Sequence, residues 1–345
     1  MSSKARFTRS VFTLTAVLGL GAGLAIACGS SQSSSQFQDA SAGLGGDGSG
    51  SSGGGSGGGS GSGGDGAVGT FGDGSAGDGQ GGSCNAPDML IVLDHTDSMS
   101  DEPTGKKPPN TMAGQMLSKW FLATQAIKAV VAPPADEKID FGLELFPLDP
   151  ETVDAGAGMG KCSTLSQLLS GMASTNKSCQ PAEVPIAPGP GNGAAITALL
   201  DPLTLRLCVS TPIALALDTA STELKLVQKS GVAQYILLVT DGGETCGGNV
   251  TLAAQQLAAA GIKTFVVGFG GLDAGSAGVN VPLLDDVACA GLTAPGFPAG
   301  CTKGASGYTA TSTSGPPLFY SAQDGASLQT ALQAITSSVC CGCAQ

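Results

Sequence analysis

Residues 89–93 are five consecutive apolar residues that run directly into a carboxylate, Asp94. A short apolar run without alternation is typical of a strand buried on both faces, as in the centre of a parallel sheet. Two hydroxyl side chains follow at alternate positions, Thr96 and Ser98. Open α/β sheets bind ligands at the carboxyl ends of their strands, and such oxygens suit Mg²⁺. Because Asp, Thr and Ser are also common turn residues, this stretch alone fits an ordinary turn equally well.

A second apolar run ends in the same way. Residues 235–240 stop at Asp241, and two glycines follow that carboxylate. Between the two runs, Thr211-Pro212 opens an apolar helical pattern, which predicts Thr211 as the N-cap and Pro212 as the first helical residue. Oxygen-bearing side chains therefore follow two predicted strands and precede the helix between them.

This three-part pattern resembles the von Willebrand factor type A domain over roughly residues 86–340. In that family, an apolar strand with DxSxS, a Thr-Pro loop and an apolar strand with Thr-Asp-Gly form a metal-ion-dependent adhesion site. The resemblance implies five metal ligands, namely Asp94, Thr96, Ser98, Thr211 and Asp241. Thr96 stands where the family motif has serine, so the hydroxyl is kept and a methyl group is added.

The resemblance also implies what the site binds. The expected ion is Mg²⁺, with Mn²⁺ or Ca²⁺ as alternatives, and its open coordination position would accept an Asp or Glu side chain of a protein partner. His95 and Asp97 lie between the expected ligands. We expect His95 to be a rim residue, and Asp97 to be solvated or a hydrogen-bond acceptor behind the ligands.

Strand and helix patterns alternate along the chain. They predict a doubly wound α/β fold with a mainly parallel central sheet and helices on both faces. The predicted strands are 89–93, 139–146 (with one wetter face), 184–187 at an edge, 235–240, 263–268 and 318–321. The predicted helices are 112–131, 194–200, 213–227, 252–260, 281–290 and 325–339. In the first helix we expect Met112, Met116 and Trp120 to face the core.

The amino terminus has the pattern of an export signal. Three basic residues precede a short apolar run that ends in small residues before Cys28, which predicts a signal peptide over residues 1–27. The sequence Leu24-Ala25-Ile26-Ala27-Cys28 is similar to a bacterial lipobox, in which Cys28 is lipidated; ordinary signal-peptide cleavage is the alternative. Since Gly29 rather than aspartate follows, we expect a lipid-anchored protein of the cell envelope, at the outer membrane or cell surface.

Composition divides the rest of the chain. Residues 28–83 are rich in Gly and Ser and predict a disordered tether. Residues 84–345 predict the folded domain, with insertions near 148–209 and 269–316. The formal net charge of −12 argues against a nucleic-acid partner and against electrostatic binding to anionic lipid. We therefore expect the membrane to be contacted only through the lipid anchor.

Ten of the 11 cysteines follow Cys28, an even number that suggests disulfides in an exported protein. The candidates are Cys84, Cys162, Cys179, Cys208, Cys246, Cys289, Cys301, Cys340, Cys341 and Cys343. The family topology places the ends of the domain side by side, which implies a bond from Cys84 to one of the last three.

The other cysteines lie in the insertions and beside the predicted site. We expect Cys162–Cys179 and Cys289–Cys301 to close the insertions, and Cys208 and Cys246 to brace the site loops. The spacing Cys340-x-x-Cys343 also occurs in redox and zinc sites. We favour a disulfide there because neither a histidine nor a second CxxC accompanies it.

The patterns of common enzymes are incomplete in this chain. A Ser-His-Asp triad or a zinc hydrolase would require His95, which lies inside the predicted metal motif. Haloacid dehalogenases need an acid where Thr96 stands. The stretch 171–178 resembles a P-loop, but Asn176 takes the place of its second glycine and no strand precedes it.

We therefore predict a protein that is not an enzyme. It would be a surface-tethered lipoprotein that binds a protein partner through its metal. The alternative is a structural envelope lipoprotein that binds through its insertions, without a working metal site.

Overall fold

The computed structural model describes residues 85–152, 159–177, 179–272, 278–311 and 315–340. The predicted signal peptide and tether, with Cys28, lie outside these residues, as do Cys84, Cys341 and Cys343. None of the helices in the described ranges is long and apolar enough to cross a bilayer.

The described residues form ten strands and eight α-helices. The strands are β1 (Asp88–Asp94), β2 (Asp140–Phe146), β3 (Ser163–Thr164), β4 (Glu183–Ile186), β5 (Arg206–Leu207), β6 (Gln234–Thr240), β7 (Ile262–Phe269), β8 (Cys301–Lys303), β9 (Tyr308–Ala310) and β10 (Tyr320–Ala322). The helices are α1 (Met112–Gln115), α2 (Lys119–Val130), α3 (Leu165–Leu169), α4 (Gly193–Leu199), α5 (Ile213–Val227), α6 (Val250–Ala259), α7 (Val281–Ala290) and α8 (Gly325–Val339).

The central sheet has six strands in the order β10-β7-β6-β1-β2-β4. Five are parallel, and β4 runs antiparallel at one edge beside β2. All seven residues of β1 are buried, as expected for a strand with neighbours on both sides and helices on both faces. The predicted doubly wound α/β fold with a mainly parallel sheet is confirmed.

Two apolar layers enclose the sheet. One face packs against α2 and α8, where Trp120 and Ile127 meet Leu332 and Ile335 of the last helix. The other face packs against α5, α6 and α7. Burying each large aliphatic side chain contributes about 1.5–3 kcal/mol, so both layers fix the sheet and, with it, the loops at its carboxyl edge.

The helix predicted over 112–131 is two helices. Ser118 interrupts it and caps α2, accepting a hydrogen bond from the N–H of Phe121 at 3.2 Å. Met112 and Met116 are 59% and 47% exposed, so the prediction that they face the core is wrong, whereas buried Trp120 confirms it for α2. The apolar periodicity continues across the break, because the spacing of apolar residues does not reveal where one helix ends and the next begins.

Other boundaries also differ from the sequence prediction. The second strand has no wetter face, because every residue of β2 is buried, including Glu144. The last strand is Tyr320–Ala322, later than the predicted 318–321. The insertions contain structure that the sequence pattern did not predict. They hold the small sheets β3–β5 and β8–β9 and the helix α3, which opens with a capping box from Thr164 to Gln167.

Glu144 is an unfavourable group in an otherwise apolar layer. Both carboxylate oxygens are buried with no hydrogen-bond partner among the described residues. Its pKa lies well above the ordinary value because burial disfavours the carboxylate, and the charge of Glu223 adds to the effect. The pKa of Glu144 is higher in the folded protein than in the unfolded chain. Its contribution to the free energy of unfolding is therefore fully present below the unfolded-state pKa and is lost as pH rises through the folded-state pKa.

We therefore predict that Glu144→Leu stabilises the protein by about 1–3 kcal/mol near pH 8, because it removes a buried group that lacks partners. The gain should shrink as pH is lowered towards 5, because the raised pKa of Glu144 favours its neutral form at lower pH. Chemical denaturation at both pH values measures it, with exposed Glu137→Leu as the control. A variant less stable than wild type at both pH values would contradict this account.

Candidate metal centre

The predicted ligands converge at the carboxyl ends of β1 and β6, which are adjacent parallel strands. Asp94 is the last residue of β1 and Asp241 immediately follows β6; their side chains are buried. From β1 the sheet continues to β2 on one side and to β6 on the other. Such a switch in strand order opens the crevice in which α/β sheets bind ligands.

A chain of short contacts joins four of the five predicted residues. The backbone N–H of Thr96 donates to Asp94 Oδ1 at 2.9 Å, and Thr96 Oγ1 lies 2.8 Å from Ser98 Oγ. The hydroxyl of Ser98 donates to Asp241 Oδ1 at 2.8 Å. Ser98 is exposed while Asp94, Thr96 and Asp241 are buried, so the chain leads from the surface to the interior.

The fifth residue, Thr211, is buried beside the loop that follows Asp241. Its Oγ1 lies 4.0 Å from the position that a Cβ on Gly242 would take. Its backbone N–H donates to Thr245 Oγ1 at 2.7 Å, and its carbonyl accepts from the N–H of Thr245 at 3.2 Å. The two loops are therefore tied together.

The sequence predicted Thr211 as the N-cap of α5, and this prediction is wrong. The helix begins at Ile213, and Pro212 holds the cap position without a side-chain hydrogen bond. The carboxylate of Glu244 accepts the N–H of Ala214 at 2.9 Å instead. Since Glu244 follows β6, the sequence around the helix start could not reveal this cap.

The two carboxylates are close enough to influence each other. Burial raises the pKa of Asp94 to about 7, and the charge of Asp241 contributes to the rise. Hydrogen bonds from Thr240 (2.6 Å) and Thr96 act in the opposite direction, because they stabilise the carboxylate. Among the described residues, no positively charged side chain contributes to this shift of the Asp94 pKa.

Asp241 has a cationic neighbour that sequence reasoning missed. The ammonium Nζ of Lys119 lies 2.6 Å from Asp241 Oδ2, and both side chains are buried. This oxygen accepts no well-directed hydrogen bond from the described residues, so the contact is an ion pair. The sequence feature that could have indicated this contact is a lysine directly beside Trp120 in an apolar helical pattern.

The neighbours of the ligands differ from expectation in one case. His95 is not a rim residue: it is buried, and its ring nitrogens contact the backbone carbonyls of Arg206 (3.0 Å) and Pro147. Burial lowers the pKa of His95, although the two carbonyl contacts act in the opposite direction. Asp97 is an acceptor, as the sequence suggested, for the hydroxyl of Ser174 at 2.6 Å.

One disulfide lies within the first insertion, and another joins the insertion to the loop after β6. The expected bond Cys162–Cys179 is wrong: Cys162 pairs with Cys208 and Cys179 with Cys246. Pairing of β3 with β5 places Cys162 beside Cys208, which explains the difference. The backbone of Cys208 also bonds to the loop after β1, donating to the carbonyl of His95 at 2.9 Å.

The remaining cysteines follow the prediction as far as they are described. Cys289 and Cys301 are joined as expected. Cys246 links the loop after β6 to the insertion through Cys179. Cys208, bonded to Cys162 within the insertion, holds the loop after β1 through backbone hydrogen bonds to His95 and Asp97. Cys340 is disulfide-bonded, and the expected link from the last cysteines to Cys84 stays a prediction.

A cleft of about 460 Å³ adjoins the exposed end of the centre. The residues that line it include Asp97, Ser98 and Asp101 and, from the first insertion, Met172. Met172 is 53% exposed. The insertion therefore forms part of the surface that a ligand approaching Ser98 would meet.

Residues 188–289 match the family model of the von Willebrand factor type A domain. The match includes Thr211 and Asp241 and leaves out Asp94, Thr96 and Ser98. No match was found among curated proteins.

Several solved structures are similar to this chain. One is proximal thread matrix protein 1 from the mussel byssus, at 13% identity and a TM-score of 0.45, covering 74% of this chain and 48% of that one. Another is a von Willebrand factor type A structure from Catenulispora acidiphila, at 13% identity and a TM-score of 0.44, covering 74% and 43%. A third is an aerotolerance-related membrane protein from Bacteroides fragilis, at 18% identity and a TM-score of 0.36, covering 55% and 70%.

This chain thus spans less than half of the mussel and Catenulispora chains. Similarities at this distance carry no conclusion about function.

The bond between Cys179 and Cys246 closes a loop of 67 residues. We predict that the double variant Cys179→Ser/Cys246→Ser loses about 4 kcal/mol of unfolding free energy, because the unfolded chain regains the entropy that the bond removes. Denaturant unfolding measures the loss. Cys289→Ser/Cys301→Ser, which opens a separation of only 12 residues, should lose less. An equal or larger loss in this second variant would contradict the expectation.

Proposed function

We propose that this chain carries a von Willebrand factor type A domain that binds a divalent cation and, through it, an acidic side chain of a protein partner. One observation carries the proposal. Two buried carboxylates, Asp94 and Asp241, meet at the ends of adjacent parallel strands and are linked by the hydroxyls of Thr96 and Ser98. The match of residues 188–289 to the family supports it.

The residues present fit a hard cation. Two carboxylates and the hydroxyls of Thr96, Ser98 and Thr211 supply the oxygen ligands that Mg²⁺ prefers. The raised pKa of Asp94 reflects burial and repulsion from Asp241, and a bound cation would offset both effects because it favours the ionised carboxylate. We assign Mg²⁺ as the ion, with Mn²⁺ or Ca²⁺ as alternatives.

The ion, when bound, would supply a Lewis-acidic position for a carboxylate of the partner. The chain's own residues hold that position in place. Asp94 and Asp241 are fixed by the sheet, the Cys208 segment holds the loop after β1, and Thr245 ties Thr211 to the loop after β6. The cleft beside Ser98 is where the partner would approach.

We further propose that the domain works outside the cytoplasm. The pattern of residues 1–27 and Cys28 supports lipid anchoring in the cell envelope, at the outer membrane or cell surface, with 28–83 as tether. The partner would be a protein presenting Asp or Glu, and the net charge of −12 disfavours nucleic acid.

The same geometry supports binding rather than catalysis. His95 faces two backbone carbonyls, so it is not poised to activate a serine or a water. A second candidate function is a structural envelope lipoprotein that binds through its insertions without metal. The ion pair of Lys119 with Asp241 favours this alternative, since it already supplies one positive charge.

Calorimetric titration of Mg²⁺ and Mn²⁺ into the full chain tests the proposal. We predict one site in wild type, no detectable binding in Asp94→Asn, and affinity at least about tenfold lower in Thr96→Val, a loss of about 1.4 kcal/mol. Asp97→Asn is the matched control, because Asp97 lies between the ligands but contacts Ser174; it should bind normally. Absence of binding in wild type would leave the metal-free alternative.

A further inference from the structure

Lys119 is the first residue of α2, and its position there is fixed by several bonds. Its backbone N–H donates to the carbonyl of Asp101 at 2.8 Å. The preceding residue, Ser118, caps the helix and is itself buried. The side chain is buried, and its Nζ lies 2.6 Å from Asp241 Oδ2.

The burial of this side chain is unusual for a lysine. Only 1% of it is exposed. Lysine side chains are almost never fully buried unless they are paired with an acid. Moving an ammonium from water into the interior is unfavourable, and the attraction of a buried carboxylate offsets that cost. The buried charge of Lys119 is therefore matched by the carboxylate of Asp241.

Asp241 uses both of its oxygens, and for different neighbours. Oδ1 accepts the hydroxyl of Ser98, which leads to the surface. Oδ2 faces the ammonium of Lys119 in the interior. A cation among Asp94, Thr96 and Ser98 would therefore meet Asp241 from the Oδ1 side, while Lys119 remains on the other side.

Another acid lies near this pair but is less enclosed. The pKa of Asp101 is raised chiefly by burial, while the charge of Lys119 lowers it and that of Asp241 raises it. Asp101 is partly exposed on the wall of the cleft, where solvent screens its charge. The direct, buried partner of Lys119 is Asp241.

We propose that Lys119 is a resident counter-cation of the centre, which holds Asp241 when no metal is bound and weakens metal binding in the absence of an anionic ligand. This inference rests on the proposed function, since it concerns the same site. With two carboxylates and one ammonium, the loaded centre would carry a net charge of about +1 instead of zero. An acidic side chain of the partner would neutralise that charge, so metal and partner would bind cooperatively.

The test compares wild type with Lys119→Met, which removes the charge at similar length, and Lys119→Gln, which keeps a hydrogen-bond donor. The matched control is Lys128→Met, the same change of net charge at the other end of α2. Mn²⁺ is titrated into each full chain by calorimetry, in chloride and in acetate, which stands for the partner carboxylate. Thermal unfolding in EDTA is measured in parallel.

We expect both Lys119 variants to bind Mn²⁺ at least about tenfold more tightly than wild type in chloride, because a like charge has been removed. Acetate should tighten Mn²⁺ binding in wild type more than in the variants. In EDTA, the melting temperature of Lys119→Met should fall by about 6–12 °C, because Asp241 is left unpaired. Lys128→Met should match wild type in all three measurements.

Each outcome decides between the inference and the proposed function. Wild type that binds Mn²⁺ with an affinity equal to or above that of both Lys119 variants would overturn the inference and leave the proposed function intact. Binding only in the variants would support the inference and show that wild type keeps its centre free of metal. Binding in none of the chains would overturn both.

Discussion

Asp94 and Asp241 bring two like charges into the protein interior at the ends of adjacent strands, and the surrounding structure offsets the resulting repulsion. Burial and Asp241 together raise the pKa of Asp94 to about 7. Thr240 and Thr96 donate hydrogen bonds to Asp94, and Ser98 donates to Asp241. The ammonium of Lys119 supplies the one buried positive charge described at this centre. A divalent cation would complete the compensation, which is why the geometry favours a metal-binding function.

The rest of the fold holds these groups in position. The parallel register of β1 and β6 places Asp94 and Asp241 side by side, and apolar layers on both faces make the sheet rigid. The loops at this edge are secured separately, by the disulfides Cys162–Cys208 and Cys179–Cys246. Because both bonds start in the first insertion, that insertion is at once a support for the centre and a wall of the cleft beside it.

The sequence predicted those features that depend on local pattern. It predicted the two strands that lead to Asp94 and Asp241 and the helix Val281–Ala290, because apolar runs and caps are formed by consecutive residues. The contact between Lys119 and Asp241 was not predicted, since it joins residues that only the packing of α2 against the sheet brings together. The predicted partner of Cys162 is wrong for the same reason, because the observed disulfide depends on the non-local sheet β3–β5.

The most direct test of the central claim is a crystal structure of the full chain grown with Mn²⁺, in which anomalous scattering locates the ion. The account predicts a single peak enclosed by Asp94, Thr96, Ser98, Thr211 and Asp241, with Lys119 still beside Asp241. A peak elsewhere, or none at this centre while Mn²⁺ is present, would contradict it.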